Sequence, residues 1–350
     1  MGKKGLPSRS LAWLVFVGAL IIVSGVSALR YVQQNQYRVP QSSDAPAIIT
    51  VLPRHPLTGA LLDAPLAVLP HVFGVMIENS ADAWPLSGID EAFLVIEAPV
   101  EGDIPRFLAF FSSEQDVQKI GPVRSARSYY LDWNAEFDGI YAHVGGSPEA
   151  LRMITGRGVF DLDQFFQSEY YYRDELTRYA PHNVYTTMDD LKQSMREIDK
   201  KYHAAAPTYD SWIFTDGVSE TSVHTVITLS WRKGYDVQWT YDPTTNVYDR
   251  SQGGKTYTAN NVVIIETDVG TIPGDDKGRR TIRTLGEGRM KIFQNGHGND
   301  LGGTWKKSSV RDRMRFYDNE GNEMVMNAGK TWIEVTDDLG NVVIEQMYGL

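Results

Sequence analysis

Ile120 to Leu151 reads IGPVRSARSYYLDWNAEFDGIYAHVGGSPEAL and contains two similar junctions, at each of which an extended segment runs into the start of a helix. In the first junction, Arg124 follows the break at Gly121-Pro122. Ser125 then stands where a helix N-cap is expected, and Arg127 falls in the first turn. This junction predicts a helix over residues 125–137.

The second junction begins with an apolar run, residues 140–144, which is typical of a buried strand. Gly145-Gly146 ends the run. Ser147 is a favoured N-cap residue, Pro148 suits the first helical position, and Glu149 suits the first turn. A second helix is therefore predicted from Ser147 to about Ile154.

Helix starts carry free N–H groups and a partial positive charge, so they attract anions. Two such starts, with Arg124, Arg127 and His143 nearby, predict a basic pocket in which Arg124 and Arg127 line one concavity with His143 and the Gly145-Gly146 turn. The alternative is two ordinary capped helices whose arginines pair with local carboxylates.

Length and composition limit the function classes. The chain has 350 residues, enough for two domains and an anchor, and its net charge of −10 argues against non-specific nucleic-acid binding. With no cysteine, disulfides, thiolate metal sites and a cysteine nucleophile are excluded. No ligand set is spaced for a metal and no cofactor motif is present, so neither a metal nor a cofactor is predicted.

The N-terminus predicts a membrane anchor. Residues 1–9 carry Lys3, Lys4 and Arg9, and an uncharged apolar run follows from Leu11 to Leu29. About 19 helical residues span about 28 Å, close to the hydrocarbon core of a bilayer. A cytoplasmic tail (1–9), a single-pass signal anchor (10–30) and an extracytoplasmic remainder are expected, with a linker and lead-in at 31–65. Cleavage after Val26-Ser27-Ala28 is the alternative.

The alternation of strands and helices over residues 66–207 predicts an α/β domain with a mixed sheet. Strands are expected at 72–77, 92–96 and 107–111. Glu97, Glu101 and Asp103 are expected in a loop beside Arg106, as a catalytic or metal-binding cluster or as solvated carboxylates with one ion pair.

The aromatic segment 160–178 is either a lip that faces sugar or lipid or a packed loop over the core. His182 follows this segment and either lines the pocket or makes a structural hydrogen bond. A helix is predicted from Met188 to about Ala205.

Beyond a link at 208–220, residues 221–350 are strand-like and predict a mostly antiparallel β domain. Basic residues in this part are either a site for a polyanion or a solvated sheet face paired with Asp312 and Asp318; they are Lys306, Lys307, Arg311, Arg313, Arg315 and Lys330.

Several sequence blocks stand out along the chain. They are GPVRSARSYYLDW, AHVGGSPEAL, APHNVY, VMIENS and GDIPRFLAFF in the first part, and VQWTYDPTTNVYDRSQGG, NNVVI, GGTWKK and NAGKTWIEV in the second. These blocks resemble a known family of bacterial envelope proteins, the YerB-like family. The resemblance covers about Pro56 to Val335. It implies N- and C-terminal domains of unknown function and an extracytoplasmic, membrane-tethered protein, and it implies no reaction. Many members look like lipoproteins with a cysteine after the signal, which this chain lacks.

Three function classes remain open. The first is an envelope protein that binds an anionic glycan, a phosphorylated wall precursor or a polyprenyl phosphate. The second is a transferase or hydrolase acting on such precursors, with Glu78, Glu97 or Glu101 as the candidate carboxylate; no hydrolase or P-loop motif is present, and Ser147 is better explained as an N-cap than as a nucleophile. The third is a protein–protein interaction module with unknown partners. The candidate ligand-binding residues are Arg106, Arg124, Ser125, Arg127, His143, Gly145, Gly146, Ser147 and His182.

Overall fold

The computed structural model describes residues 52–202, 206–219, 224–231, 235–296 and 301–347. The predicted tail and anchor at 1–30, and the linker up to residue 51, lie outside the described residues. Within the described ranges, no helix is both long and apolar enough to cross a membrane.

The first part of the chain supplies strands and helices in alternation. In order they are β1 (Val72–Ile77), β2 (Leu94–Pro99), β3 (Pro105–Ser112), α1 (Ser128–Asn134), β4 (Ile140–His143), α2 (Pro148–Arg157), β5 (Asp161–Asp163), β6 (Tyr172–Arg173), β7 (Val184–Tyr185) and α3 (Met188–Tyr202).

The second part is almost entirely strands. They are β8 (Phe214–Thr215), β9 (His224–Leu229), β10 (Val237–Asp242), β11 (Val247–Gln252), β12 (Lys255–Ala259), β13 (Asn261–Glu266), β14 (Val269–Thr271), β15 (Arg280–Ile282), β16 (Gly286–Phe293), β17 (Leu301–Lys307), β18 (Arg315–Asp318), β19 (Met326–Asn327), β20 (Thr331–Thr336) and β21 (Val342–Met347). Short 3-10 turns lie at Ala81–Ala83, Ile89–Glu91, Glu101–Asp103, Ala135–Phe137, Ser168–Tyr170 and Leu339–Asn341.

One large mixed sheet combines strands from both parts. Its ten strands run in the order β18-β17-β16-β13-β20-β2-β3-β1-β4-β5. β20 lies parallel to both β13 and β2, so it joins the two parts of the sheet. β1, β4 and β5 are parallel to one another and place their carboxyl ends at the same edge.

The sheet is covered on both faces. A five-stranded antiparallel sheet, in the order β12-β11-β10-β9-β21, and the start of α3 share an apolar core with one face. The helices α1 and α2 share a second core with the other face, where Trp133 is fully buried. β1 is buried along its whole length, because it lies inside the sheet between β3 and β4.

The predicted mixed sheet followed by antiparallel strands is confirmed. β1 has the predicted bounds, and α2 begins as predicted with Ser147 as its N-cap and Pro148 as its first residue. The prediction for the first junction is wrong, because α1 starts at Ser128 with Arg127 as the N-cap residue.

Candidate anion-binding site

The arginines predicted to form the site lie around the segment 123–127, at the edge where β1 and β4 end. The backbone N–H of Arg124 donates to the Met76 carbonyl over 2.8 Å, and its carbonyl accepts from Val144 over 3.1 Å. Ala126 N–H donates to the Gly145 carbonyl over 2.9 Å. These bonds hold the segment between the two strand ends, which is where ligands commonly bind open α/β sheets.

Arg106 is a buried guanidinium with unusual surroundings. It projects from β3 and donates from Nη1 to the Ser125 carbonyl over 2.7 Å. Among the residues that the structure describes, no carboxylate lies within ion-pairing distance of it. Burial lowers the pKa of Arg106 to about 10, and the positive charges of Arg127 and Arg124 contribute. A buried cation without a carboxylate partner is costly, so a bound anion would relieve it.

Arg127 lies next to Arg106 and has a partner of its own. Its Nε and Nη2 donate to the two carboxylate oxygens of Glu101 over 2.8 and 2.7 Å. Its Nη1 lies 3.4 Å from the same Ser125 carbonyl that Arg106 contacts. Burial opposes the charge of Glu101, but the two bonds to Arg127 lower the pKa of Glu101. Arg127 therefore adds positive charge beside Arg106 while being held in place by Glu101.

Arg124 belongs to a polar cluster around Glu78, which directly follows β1. Arg124 Nε lies 3.3 Å from Oε1 of Glu78, and Nδ1 of His182 lies 2.9 Å from Oε2. The Ser80 hydroxyl donates to Oε1 over 2.9 Å. Arg124 Nη1 also donates to the Pro181 carbonyl over 3.4 Å, which ties it to the residue before His182.

Tyr141 is a site residue that the sequence analysis missed. Its hydroxyl is buried and has no hydrogen-bond partner within the described part of the chain. Burial raises the pKa of Tyr141, and Arg106 and Arg127 are close enough to oppose that rise. The period of two along β4 places Tyr141 on the same face as His143, and that alternation could have identified it.

His143 does not serve the role considered for it. The ring is fully buried; Nδ1 lies 2.8 Å from the Gly145 carbonyl and Nε2 lies 2.6 Å from the Asp161 carboxylate. Both nitrogens are occupied, so His143 supports the turn after β4 and leaves no ring nitrogen for a ligand. The His143 side chain is therefore not available as a ligand-binding group.

The Gly145-Gly146 turn and Ser147 also have structural roles. Gly145 has a φ of +56°, and its N–H donates to Asp163 over 2.8 Å. The Ser147 hydroxyl accepts from the Ala150 N–H over 3.2 Å, as an N-cap does. Ser147 also lines a surface concavity, with Arg152 and Arg279.

Ser125 is not an N-cap, although its carbonyl is central to the site. The Ala126–Gly146 bridge keeps the chain extended through this position, and the helix begins three residues later. The Ser125 contribution is therefore the carbonyl oxygen that faces both Arg106 and Arg127.

Glu101 and Asp103 lie in the turn between β2 and β3, as predicted, but the placement of Glu97 in this loop is wrong. Glu97 lies in β2 and is fully buried, with the Arg250 guanidinium donating to both of its oxygens. Arg250 also lies 3.3 Å from Glu334, the residue opposite Glu97 on β20. Glu97 is thus part of a buried charge network between the two sheets, away from Arg106.

Within the described residues, the basic side chains of the second part are paired, but not with the carboxylates of Asp312 and Asp318; Lys307 donates to the Asp312 backbone carbonyl over 2.6 Å. Glu136 binds both Lys307 and Arg313, over 3.2 and 3.0 Å, and all three are buried. The other members contact different partners; Lys306 pairs with Glu287, Arg311 with Asp138, Arg315 with Glu323 and Asp210, and Lys330 donates to the Asp90 carbonyl. These contacts favour a structural role over polyanion binding.

Comparison with known proteins places the chain in a family. Residues 57–224 match the family described as "Protein of unknown function (DUF3048) N-terminal domain", and residues 226–333 match its C-terminal domain. The two matches cover most of the chain, so the protein belongs to the DUF3048 family, and the resemblance noted from its sequence blocks is confirmed.

The protein YerB matches this chain both in its sequence and in its crystal structure. The chain is 30% identical over 289 residues to "Putative lipoprotein YerB" of Bacillus subtilis (strain 168), with 79% of this chain and 84% of that protein covered. A crystal structure of the YerB protein from Bacillus subtilis matches with a TM-score of 0.71 and 28% identity, over 84% of this chain and 99% of that one.

Proposed function

We propose that this protein is a membrane-anchored envelope protein, with its folded part outside the cytoplasm, that binds a phosphorylated ligand at Arg106. The basic N-terminus followed by an apolar run supports the location, as does the description of the YerB relative as a lipoprotein. The ligand class is a phosphorylated or otherwise anionic glycan, or a polyprenyl phosphate.

The single observation that carries the binding proposal is the state of Arg106. Its guanidinium is buried, is bonded to one carbonyl, and has two further arginines nearby. A phosphate group would accept hydrogen bonds from Arg106, and its charge would offset the cluster. The buried Tyr141 hydroxyl offers a further donor.

Calorimetric titration of the full-length protein with inorganic pyrophosphate tests this proposal. We expect Arg106→Gln to weaken binding by about tenfold or more, equivalent to about 1.4 kcal/mol. Arg106 is the informative position, because removing Arg127 would also leave Glu101 without its partner. Arg289→Gln is the matched control, since Arg289 is an exposed arginine on β16. Equal affinities for the wild type and Arg106→Gln would refute the proposal.

A second candidate function, hydrolysis of a phosphorylated envelope precursor, is favoured by the His182–Glu78 pair. Nδ1 lies 2.9 Å from Glu78, while Nε2 makes no hydrogen bond or ion pair with another described residue, and the side chain is 22% exposed. In this reaction on a diphosphate, Nε2 would accept a proton from water as the water oxygen bonds to the terminal phosphorus. The bond from that phosphorus to the bridging oxygen breaks, so that inorganic phosphate forms and the monophosphate ester leaves.

Phosphate release from farnesyl diphosphate, followed as a function of pH, tests this second function. Loss of release in His182→Gln with pyrophosphate affinity retained would support it. Equal release by the wild type and His182→Gln would exclude it.

A further inference from the structure

The segment between β5 and β7 carries a group of exposed apolar side chains next to the candidate site. Leu176 is 99% exposed, Tyr179 87%, Phe166 80% and Phe165 67%. The first three are the most exposed large hydrophobic side chains in the described ranges. We call these four residues the apolar rim.

The segment that carries the rim is fixed by other contacts. Tyr170 is buried and donates to Glu197 over 2.5 Å, and the Tyr171 hydroxyl donates to the Leu162 carbonyl. Lys119 pairs with Asp174 over 2.7 Å, and Arg173 donates to Asn183 over 2.8 Å. Some rings of the aromatic segment thus pack into the core, as a packed loop would, while the rim faces solvent and the sugar- or lipid-facing lip stays a prediction.

The rim adjoins the arginine site at two places. The Phe165 ring lies against Gly145, so close that a Cβ at that glycine would be 2.7 Å from the ring. At the other end, the Tyr179 carbonyl accepts from the His182 N–H over 2.8 Å, and His182 contacts Glu78, the partner of Arg124.

Exposed apolar groups beside a buried arginine, Arg106, that has no carboxylate partner among the described residues match an amphiphile with an anionic head. A free sugar phosphate would use the arginines and leave the rim in water. We propose that the ligand is a lipid phosphate, whose phosphate binds at Arg106 and whose hydrocarbon chain lies on the apolar rim. This inference rests on the proposed phosphate-binding function and narrows its ligand class.

Competitive native mass spectrometry of the full-length protein in one non-ionic detergent tests the proposal with farnesyl phosphate, methyl phosphate and farnesol. The wild type should prefer farnesyl phosphate over methyl phosphate by about tenfold or more, because burial of the chain adds apolar contact. Farnesol should bind more weakly than farnesyl phosphate, since it lacks the charge.

The triple variant Phe166→Ser/Leu176→Ser/Tyr179→Ser distinguishes binding of the hydrocarbon chain from binding of the phosphate. It should bind methyl phosphate like the wild type and reduce the preference for farnesyl phosphate to about twofold or less. Its matched control is Ile213→Ser/Val325→Ser/Val343→Ser, which removes exposed apolar side chains elsewhere and should keep the full preference.

Other outcomes overturn the inference in distinct ways. A rim variant that keeps the wild-type preference excludes the rim as the site of the chain. Equal binding of methyl phosphate and farnesyl phosphate would refute a lipid ligand but keep the phosphate site. Farnesol binding as tight as that of farnesyl phosphate would show that the apolar rim binds the chain without help from the phosphate. Absence of binding by either phosphate, with pyrophosphate also unbound, overturns the proposed function itself.

Discussion

Arg250 and Arg106 are both buried arginines, with 1% and 8% of their surfaces exposed, yet their surroundings differ. Arg250 contacts Glu97 and Glu334 and lies over the ring of Trp332. Burial alone would lower the pKa of Arg250, but the two carboxylates raise it. Arg106 has one carbonyl and two neighbouring arginines, and its pKa falls to about 10. A compensated cation joins two sheets, while an uncompensated one favours an anion from outside the chain.

The largest expected effect tests this contrast directly. Arg250→Met should reduce the free energy of unfolding by about 3–5 kcal/mol, because it leaves Glu97 buried without its cation. Arg106→Met should change it by less than about 1 kcal/mol, since one hydrogen bond and one unpaired buried charge are lost together. Urea unfolding followed by tryptophan fluorescence measures both. Similar losses in the two variants would break the comparison.

The pH dependence of stability tests the charge state of Glu334, one of the two acidic residues that contact Arg250. Burial, and then the charge of Glu97, raise the pKa of Glu334 well above its ordinary value of 4.5. Glu334 therefore holds a proton in the folded state that it loses when unfolded. Its stabilising contribution is complete below about pH 4.5 and is lost as the pH rises towards its folded pKa.

Glu334→Gln should remove this dependence, because the amide resembles the protonated acid. We expect the free energy of unfolding of the wild type to fall relative to that of Glu334→Gln as the pH rises from about 4.5 towards the raised folded pKa of Glu334. The measurement is urea unfolding at each pH. Parallel curves would show that Glu334 is ionised in the folded protein.

The smallest expected changes in stability are those of two serine substitutions in the junctions around Arg124 and the Gly145-Gly146 turn. Ser147→Ala should cost about 1 kcal/mol, because the hydroxyl caps α2. Ser125→Ala should change stability by less than about 0.5 kcal/mol and leave pyrophosphate affinity intact, since Arg106 contacts the backbone carbonyl of Ser125. Thermal unfolding and calorimetry measure the two quantities. A loss of affinity in Ser125→Ala would mean that the hydroxyl takes part in binding.

The sequence predicts correctly those features that neighbouring residues determine by themselves. Ser147, Pro148 and Glu149 specify the start of α2 by themselves, and the apolar run of β1 marks a buried strand. Arg106, Arg124 and Arg127 were selected from the sequence, and the structure brings them close enough for the last two to lower the pKa of the first.

Long-range pairing accounts for what the sequence did not reveal. Ser125 reads as an N-cap, but the Gly145-Gly146 turn pairs with Ala126 and keeps the chain extended. Glu97 reads as a loop residue, but its partner Arg250 lies 153 positions away. The contacts of Glu78 with His182 join residues 104 positions apart, and no spacing rule anticipates them.

The position of β20 has a consequence for the newly made chain. Residues 331–336 form the strand between β2 and β13, so the middle of the large sheet is completed only long after β2 and β3 have been synthesised. Until that segment emerges, β2 presents an unpaired edge to its surroundings. A chain truncated before residue 331 would keep that edge open, which makes such fragments prone to aggregation and ready targets for proteases.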